Sequence, residues 1–145
     1  MVTSVNFMSI VIGATFLYLV NVLTHFGLLG DQWSAAMNKD KGDAHWWTRR
    51  SNTHPRIFDQ ALEYSLYAVQ TFFIMGMMNL ADVECYSHAF QLGIFFFIAY
   101  MVPDIYRSWI WEDRPCRLLA VKSIQGLLST AGLTTLLHHF GTVIF

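Results

Sequence analysis

Four apolar stretches alternate with polar segments along the chain, over approximately 7–29, 58–80, 90–111 and 118–145. Each is close to the ~20 residues of helix that a ~30 Å hydrocarbon core requires. The first has no basic segment ahead of it, and the sequence that follows, THFGLLGDQW, offers no small-x-small cleavage site. It reads as a retained helix, not a signal peptide. The pattern predicts an all-α integral membrane protein, a four-transmembrane-helix bundle forming a single membrane domain over 1–145. One stretch begins against the grain. Ahead of the apolar run SLYAVQTFFIMGMMNL stands THPRIFDQALEY, residues 53–64, with Arg56, Asp59, Gln60 and Glu63 close together.

Composition strengthens the membrane reading. Of the 145 residues, 54% are hydrophobic and 13% charged, with 12 Phe, 6 Tyr and 5 Trp, whereas about 25% of a soluble domain is charged. A formal net charge of −1 gives no basic footprint for nucleic acid; the lipid bilayer is the expected partner. The cations then set the topology. All 9 basic residues (Lys39, Lys41, Arg49, Arg50, Arg56, Arg107, Arg114, Arg117, Lys122) fall on or beside the segments 30–57 and 107–117. The turn 81–88 carries only Asp82 and Glu84 as charges besides His88. The basic segments are therefore expected to share one side, the cytoplasm or a mitochondrial matrix. The endoplasmic reticulum or a mitochondrial membrane fits that orientation. Cys85 and Cys116 then lie on opposite sides and cannot pair. The connection 31–56 reads as one long loop, in which Trp46 and Trp47 beside Arg49 and Arg50 make an interfacial anchor.

Helical spacing puts Arg56, Gln60 and Glu63 in one stripe, with Asp59 on its flank. Glu63 lies ~10 Å further in than Arg56, where a lipid-facing carboxylate costs roughly 2.5–3.5 kcal/mol. The stripe is therefore expected to face protein or a polar cleft. Two readings are open: an Arg56–Glu63 pair bridged through Gln60 that joins this helix to a neighbour, or a pocket for a charged small molecule.

The run Arg56-Ile57-Phe58-Asp59-Gln60-Ala61-Leu62-Glu63-Tyr64 resembles the helix 2 motif of the MAPEG membrane proteins, R-x-x-x-N-x-x-E followed by an aromatic residue, with Gln60 in place of Asn. Chain length, four apolar stretches, a long first basic segment and a short second turn are similar as well. Leu136-Leu137-His138-His139-Phe140 resembles the end of that family's helix 4. The resemblance implies a glutathione-dependent transferase or peroxidase acting on a lipophilic electrophile, and a homotrimer with glutathione between neighbouring subunits. It implies Arg56, Gln60, Glu63, Tyr64 and Tyr106 as glutathione-binding residues. Arg114 or Arg117 would be the catalytic cation that holds the thiolate. The family's helix 3 carries two tyrosines four residues apart; here Tyr100 and Tyr106 flank Pro103, which should kink the helix and free the Ala99 carbonyl.

For Arg107, Arg114 and Arg117 plain positive-inside anchoring is an equally open reading. His88 and His138 or His139 lie on one side of the membrane, as a bis-His haem would need, but histidines near interfaces are ordinarily interfacial, so no haem is expected. No Cys/His spacing resembles a metal site. The small and hydroxyl residues Gly126, Thr130 and Thr134 suit close helix packing. The alternative function is non-catalytic: an accessory subunit among unlike subunits of a larger membrane assembly, such as a mitochondrial respiratory complex.

Overall fold

The structure, a computed structural model, describes residues 6–53 and 56–143; the side chains of 51–53, 56, 142 and 143 lie outside that description. The described residues are helical apart from short connections. The elements are α1 (Phe7–His25), α2 (Gly30–Asp40), α3 (Trp46–Thr53), α4 (Arg56–Leu80), α5 (Tyr86–Phe96), α6 (Val102–Ile110), α7 (Cys116–Leu127) and α8 (Leu133–Val143). π-helical turns at Phe97–Met101 and Leu128–Gly132 join α5 to α6 and α7 to α8. The described residues thus form four long helical rods, 7–25, 56–80, 86–110 and 116–143. Two of them, Phe7–His25 and Tyr86–Ile110, are long and apolar enough to cross a membrane.

Two expectations change. The first rod stops at His25, where the Phe26 and Gly27 N–H groups both close on the Val22 carbonyl. The segment 31–56 is not one loop but contains α2 and α3. α2 is polar on average and forms because Ala36, 4% exposed, packs inward and Asp31 complements the positive end of the helix. An aromatic series ties both short helices to the end of α1: His25 to Trp33 at 4.8 Å, Trp33 to Trp47 at 4.7 Å and Trp47 to Phe26 at 5.8 Å. Trp46 instead meets the Lys41 and Arg50 cations at 6.0 and 5.9 Å.

Pro103 does not end its rod. Because it cannot donate to Ala99, the helix widens just before it, and the Val102 N–H reaches back five residues to Phe97. Each widened turn seats against a glycine of the other rod. A Cβ on Gly126 would meet Met101 Cε at 2.7 Å, and one on Gly93 would meet Ala131 Cα at 2.4 Å. On the other side of the bundle α4 lies along α1, with Gly13 against Thr71. The two pairs join through Leu133 and Leu137 of α8, which pack with Leu17, Met75, Met78, Val83 and Ala89.

Left-handed backbone at two aspartates turns the chain between rods. Asp82 (φ 47°) ends α4, with its N–H on Asn79 O at 3.2 Å and the Val83 N–H on Met78 O at 3.2 Å. Met78 and Val83 then bury together in the core, the apolar contact that accompanies such a helix end. Asp113 (φ 49°) turns the chain from α6 toward α7. All the cations named above belong to the end of the bundle where α1 and α6 finish and α4 and α7 begin.

Candidate functional site

A chain of polar side chains joins three of the helices inside the bundle. Glu63 Oε1 accepts from Asn21 Nδ2 at 2.7 Å and from the Tyr67 hydroxyl at 2.9 Å. Asn21 Oδ1 in turn accepts from Gln125 Nε2 at 3.2 Å. The series therefore runs from α4 through α1 to α7. Asn21 is 7% exposed, so its amide has little access to water and depends on both neighbours. Asn21 also lends its carbonyl oxygen to His25 Nδ1 at 3.0 Å. A carbonyl only accepts, so that ring nitrogen carries the hydrogen.

Gln125 is the link to a cavity of about 310 Å³ at the basic end, bounded by His25, Trp33, Arg114, Lys122 and apolar residues of α7. The site thus combines a guanidinium, an amine, an imidazole, an indole and an amide, an inventory suited to a small anion. Both cations already have acidic partners. Arg114 Nε donates to Glu112 Oε2 at 2.5 Å, and Lys122 Nζ donates to Asp104 Oδ2 at 2.5 Å, linking α7 to α6. All four side chains are partly exposed, so these pairs are weak and can rearrange around a ligand.

The residues expected from sequence are not brought to one place. Glu63 sits in the hydrogen-bonded chain and Arg114 in the cavity, linked among the described residues through Asn21 and Gln125. Tyr64 lies beside Glu63 in sequence but turns to α1, with its hydroxyl 3.2 Å from Thr15 Oγ1 and its ring edge-on to Tyr18. Gln60 and Asp59 are exposed. The expected Arg56–Glu63 pair falls partly on a side chain outside the described residues, and the described partners of Glu63 are Asn21 and Tyr67. Tyr106 is exposed beside Trp109 and does not line the cavity. Arg117 is exposed and borders a separate hollow with Lys39 and Cys116.

Asn21, Gln125, Tyr67, Trp33 and His25 were not singled out by the sequence reading. Asn21 and Gln125 are lone amides within apolar stretches, and a polar group there commonly bonds across helices. That signal was available. At the far end of the bundle His139 Nδ1 lies 2.7 Å from the Tyr86 hydroxyl, and His138 packs edge-on against the Tyr86 ring. Cys85 and Cys116 are free and exposed at opposite ends of the rod 86–110. Among the described residues no group of three or more His, Cys, Asp or Glu is placed to hold a metal ion.

A family profile matches residues 8–138, from the first rod through α8. The chain belongs to that family, described as a protein of unknown function (DUF1761). The match includes Asn21, Glu63, Arg114 and Gln125, hence the whole hydrogen-bonded chain and its cavity. The UPF0591 membrane protein C15E1.02c of Schizosaccharomyces pombe is similar as well, 26% identical over 136 residues that cover 92% of this chain and 88% of the yeast protein. No solved structure matches the chain.

Proposed function

We propose that this protein crosses a membrane four times and receives a small anionic molecule at its basic end, and that the molecule is glutathione, as the MAPEG resemblance implies. The observation that carries the reading is the cavity of about 310 Å³ bordered by Arg114, Lys122, His25, Trp33 and Gln125. Its volume is at the lower end of small-molecule sites. The yeast relative, named as a membrane protein and similar over 92% of this chain, supports the bilayer location. So does the exposure of Phe58, Leu62, Leu66, Phe73, Phe95, Ile98 and Tyr100 on the outer faces of the rods, surface that water would not tolerate in such amount.

In this reading Lys122 and Gln125 hold carboxylate and amide groups of the peptide, and the Arg114 guanidinium stabilises the thiolate. The sulfur then attacks an electrophilic carbon of a lipophilic substrate supplied by the bilayer. A carbon–sulfur bond forms, the leaving group departs with its electron pair, and the thiol proton has already passed to solvent. Ionised thiolate absorbs in the ultraviolet, so purified protein should show a glutathione-dependent thiolate band. Arg114→Ala should abolish the band, and Arg117→Ala should leave it intact because Arg117 borders a different hollow. A wild-type protein that neither binds glutathione nor shows the band would defeat the glutathione reading.

The crossing has its own test. With the basic end facing the cytoplasm or the matrix, of the endoplasmic reticulum or a mitochondrion, Cys116 should react with a membrane-impermeant maleimide from that side only. Cys85 should react from the other side only. Both thiols are exposed, so labelling of the two from one side would overturn the four-span topology.

A further inference from the structure

We propose that the outer face of α4 is a self-association surface, on which Gln70 of one copy hydrogen-bonds Gln70 of another. α4 runs from Arg56 to Leu80, so Gln70 lies ~21 Å from one end and ~15 Å from the other, near mid-bilayer. Its side chain is exposed, and no hydrogen bond from its amide to a described residue is present. Thr71, Met75 and Met78, which face α1 and α8, are buried; Gln70 points away from them. A primary amide in hydrocarbon with no partner is strongly unfavourable, and 14 residues of helix before it and 10 after it leave it too deep to reach the headgroups. Gln91, exposed too, differs because it lies in the second turn of its helix.

The surroundings of Gln70 fit another helix better than lipid. Asp59, Leu66, Phe73 and Leu80 recur every seven residues along α4, with Gln70 and Met77 four residues after Leu66 and Phe73. All six are exposed. That 3.5-residue spacing keeps one seam facing a partner helix. The occupant is a second copy because the amide is complementary to itself. It offers both donors and an acceptor, so two copies related by a rotation axis satisfy each other with no residue from elsewhere. The seam also matches its own repeat. This inference rests on the proposed crossing, which the labelling of Cys85 and Cys116 tests separately, and not on the ligand.

Disulfide trapping in native membrane vesicles tests it. Phe73→Cys, in a background with Cys85→Ser and Cys116→Ser, should give a band of twice the chain mass on mild oxidation. Tyr100→Cys in the same background, exposed on another rod, should give none. Adding Gln70→Leu should lower the trapped fraction about five- to tenfold, the scale of one interhelical polar contact, and Gln70→Asn should restore much of it. Trapping no greater at Phe73 than at Tyr100 would overturn the proposal. So would a trapped fraction indifferent to Gln70→Leu, or an adduct whose mass reveals an unlike protein.

Discussion

Replacing Gly93 with alanine should separate the rods 86–110 and 116–143, costing about 3 kcal/mol, the upper part of the usual overpacking range. The added Cβ would stand 2.4 Å from Ala131 Cα, 2.8 Å from Ala131 N and 2.5 Å from Thr134 Oγ1. Two of these are backbone atoms that no rotamer change can move. The third is pinned, since the Thr134 hydroxyl donates to the Thr130 and Ala131 carbonyls at 3.1 Å each. Relief therefore requires the rods to part at the π-helical turn, which also loosens Leu133 and Leu137 beside it in the core. Gly76→Ala is the matched control. Nothing lies within 4 Å of its Cβ position, and alanine is the better helix former by up to ~1 kcal/mol. Tryptophan fluorescence during denaturant titration in mild detergent should show Gly93→Ala unfolding much earlier than wild type and Gly76→Ala no earlier. Equal behaviour of the two would mean that the Gly93 contact is not what holds the rods together.

The rods were legible because apolar length is a one-dimensional property. Their ends were less so. The rod beginning at Tyr86 instead of 90 opens with Tyr86, Ser87 and His88, which hydropathy assigns to a turn. α2 and α3 were illegible for a different reason: their support is tertiary, from Ala36 against the bundle and Trp47 against Trp33 and Phe26. For the site, sequence showed that Glu63 needs a polar partner but not which one. Helical spacing points to partners on the same helix, and Tyr67, four residues on, is one of them. The partner across helices, Asn21, is 42 residues away, fixed by the register of α4 on α1, which the close fit of Gly13 on Thr71 sets. Which of Arg114 and Arg117 borders the cavity with Gln125 was equally out of reach. It turns on the left-handed Asp113 (φ 49°), which leaves Arg114 ahead of α7 with its N–H on the Ser108 carbonyl at 3.3 Å.

The second large effect should come from Glu63. Glu63→Leu removes a charged acceptor from two donors at once, the Asn21 amide and the Tyr67 hydroxyl. Bonds to a charged group contribute roughly 1.5–3 kcal/mol each, and a buried donor left unmet costs about 1–3 kcal/mol. The two estimates overlap, since the lost bond and the orphaned donor are one event. The Asn21 side is the more costly, because Asn21 is 7% exposed and cannot turn to water. A loss of about 3–4 kcal/mol is expected. Glu63→Gln keeps a carbonyl acceptor in place and loses only the charge assistance, so it should cost about half as much. The double variant Glu63→Leu with Asn21→Leu decides between glue and unmet polarity. If most of the cost is the orphaned Asn21 amide, removing both partners should recover about 1–2 kcal/mol relative to Glu63→Leu alone, as replacement of whole buried polar pairs commonly does. Gln125 then loses its acceptor on Asn21, but it borders the cavity and can rebond to water there. A double variant no more stable than the single one would show instead that the Glu63–Asn21 contact holds α4 to α1 by its own strength.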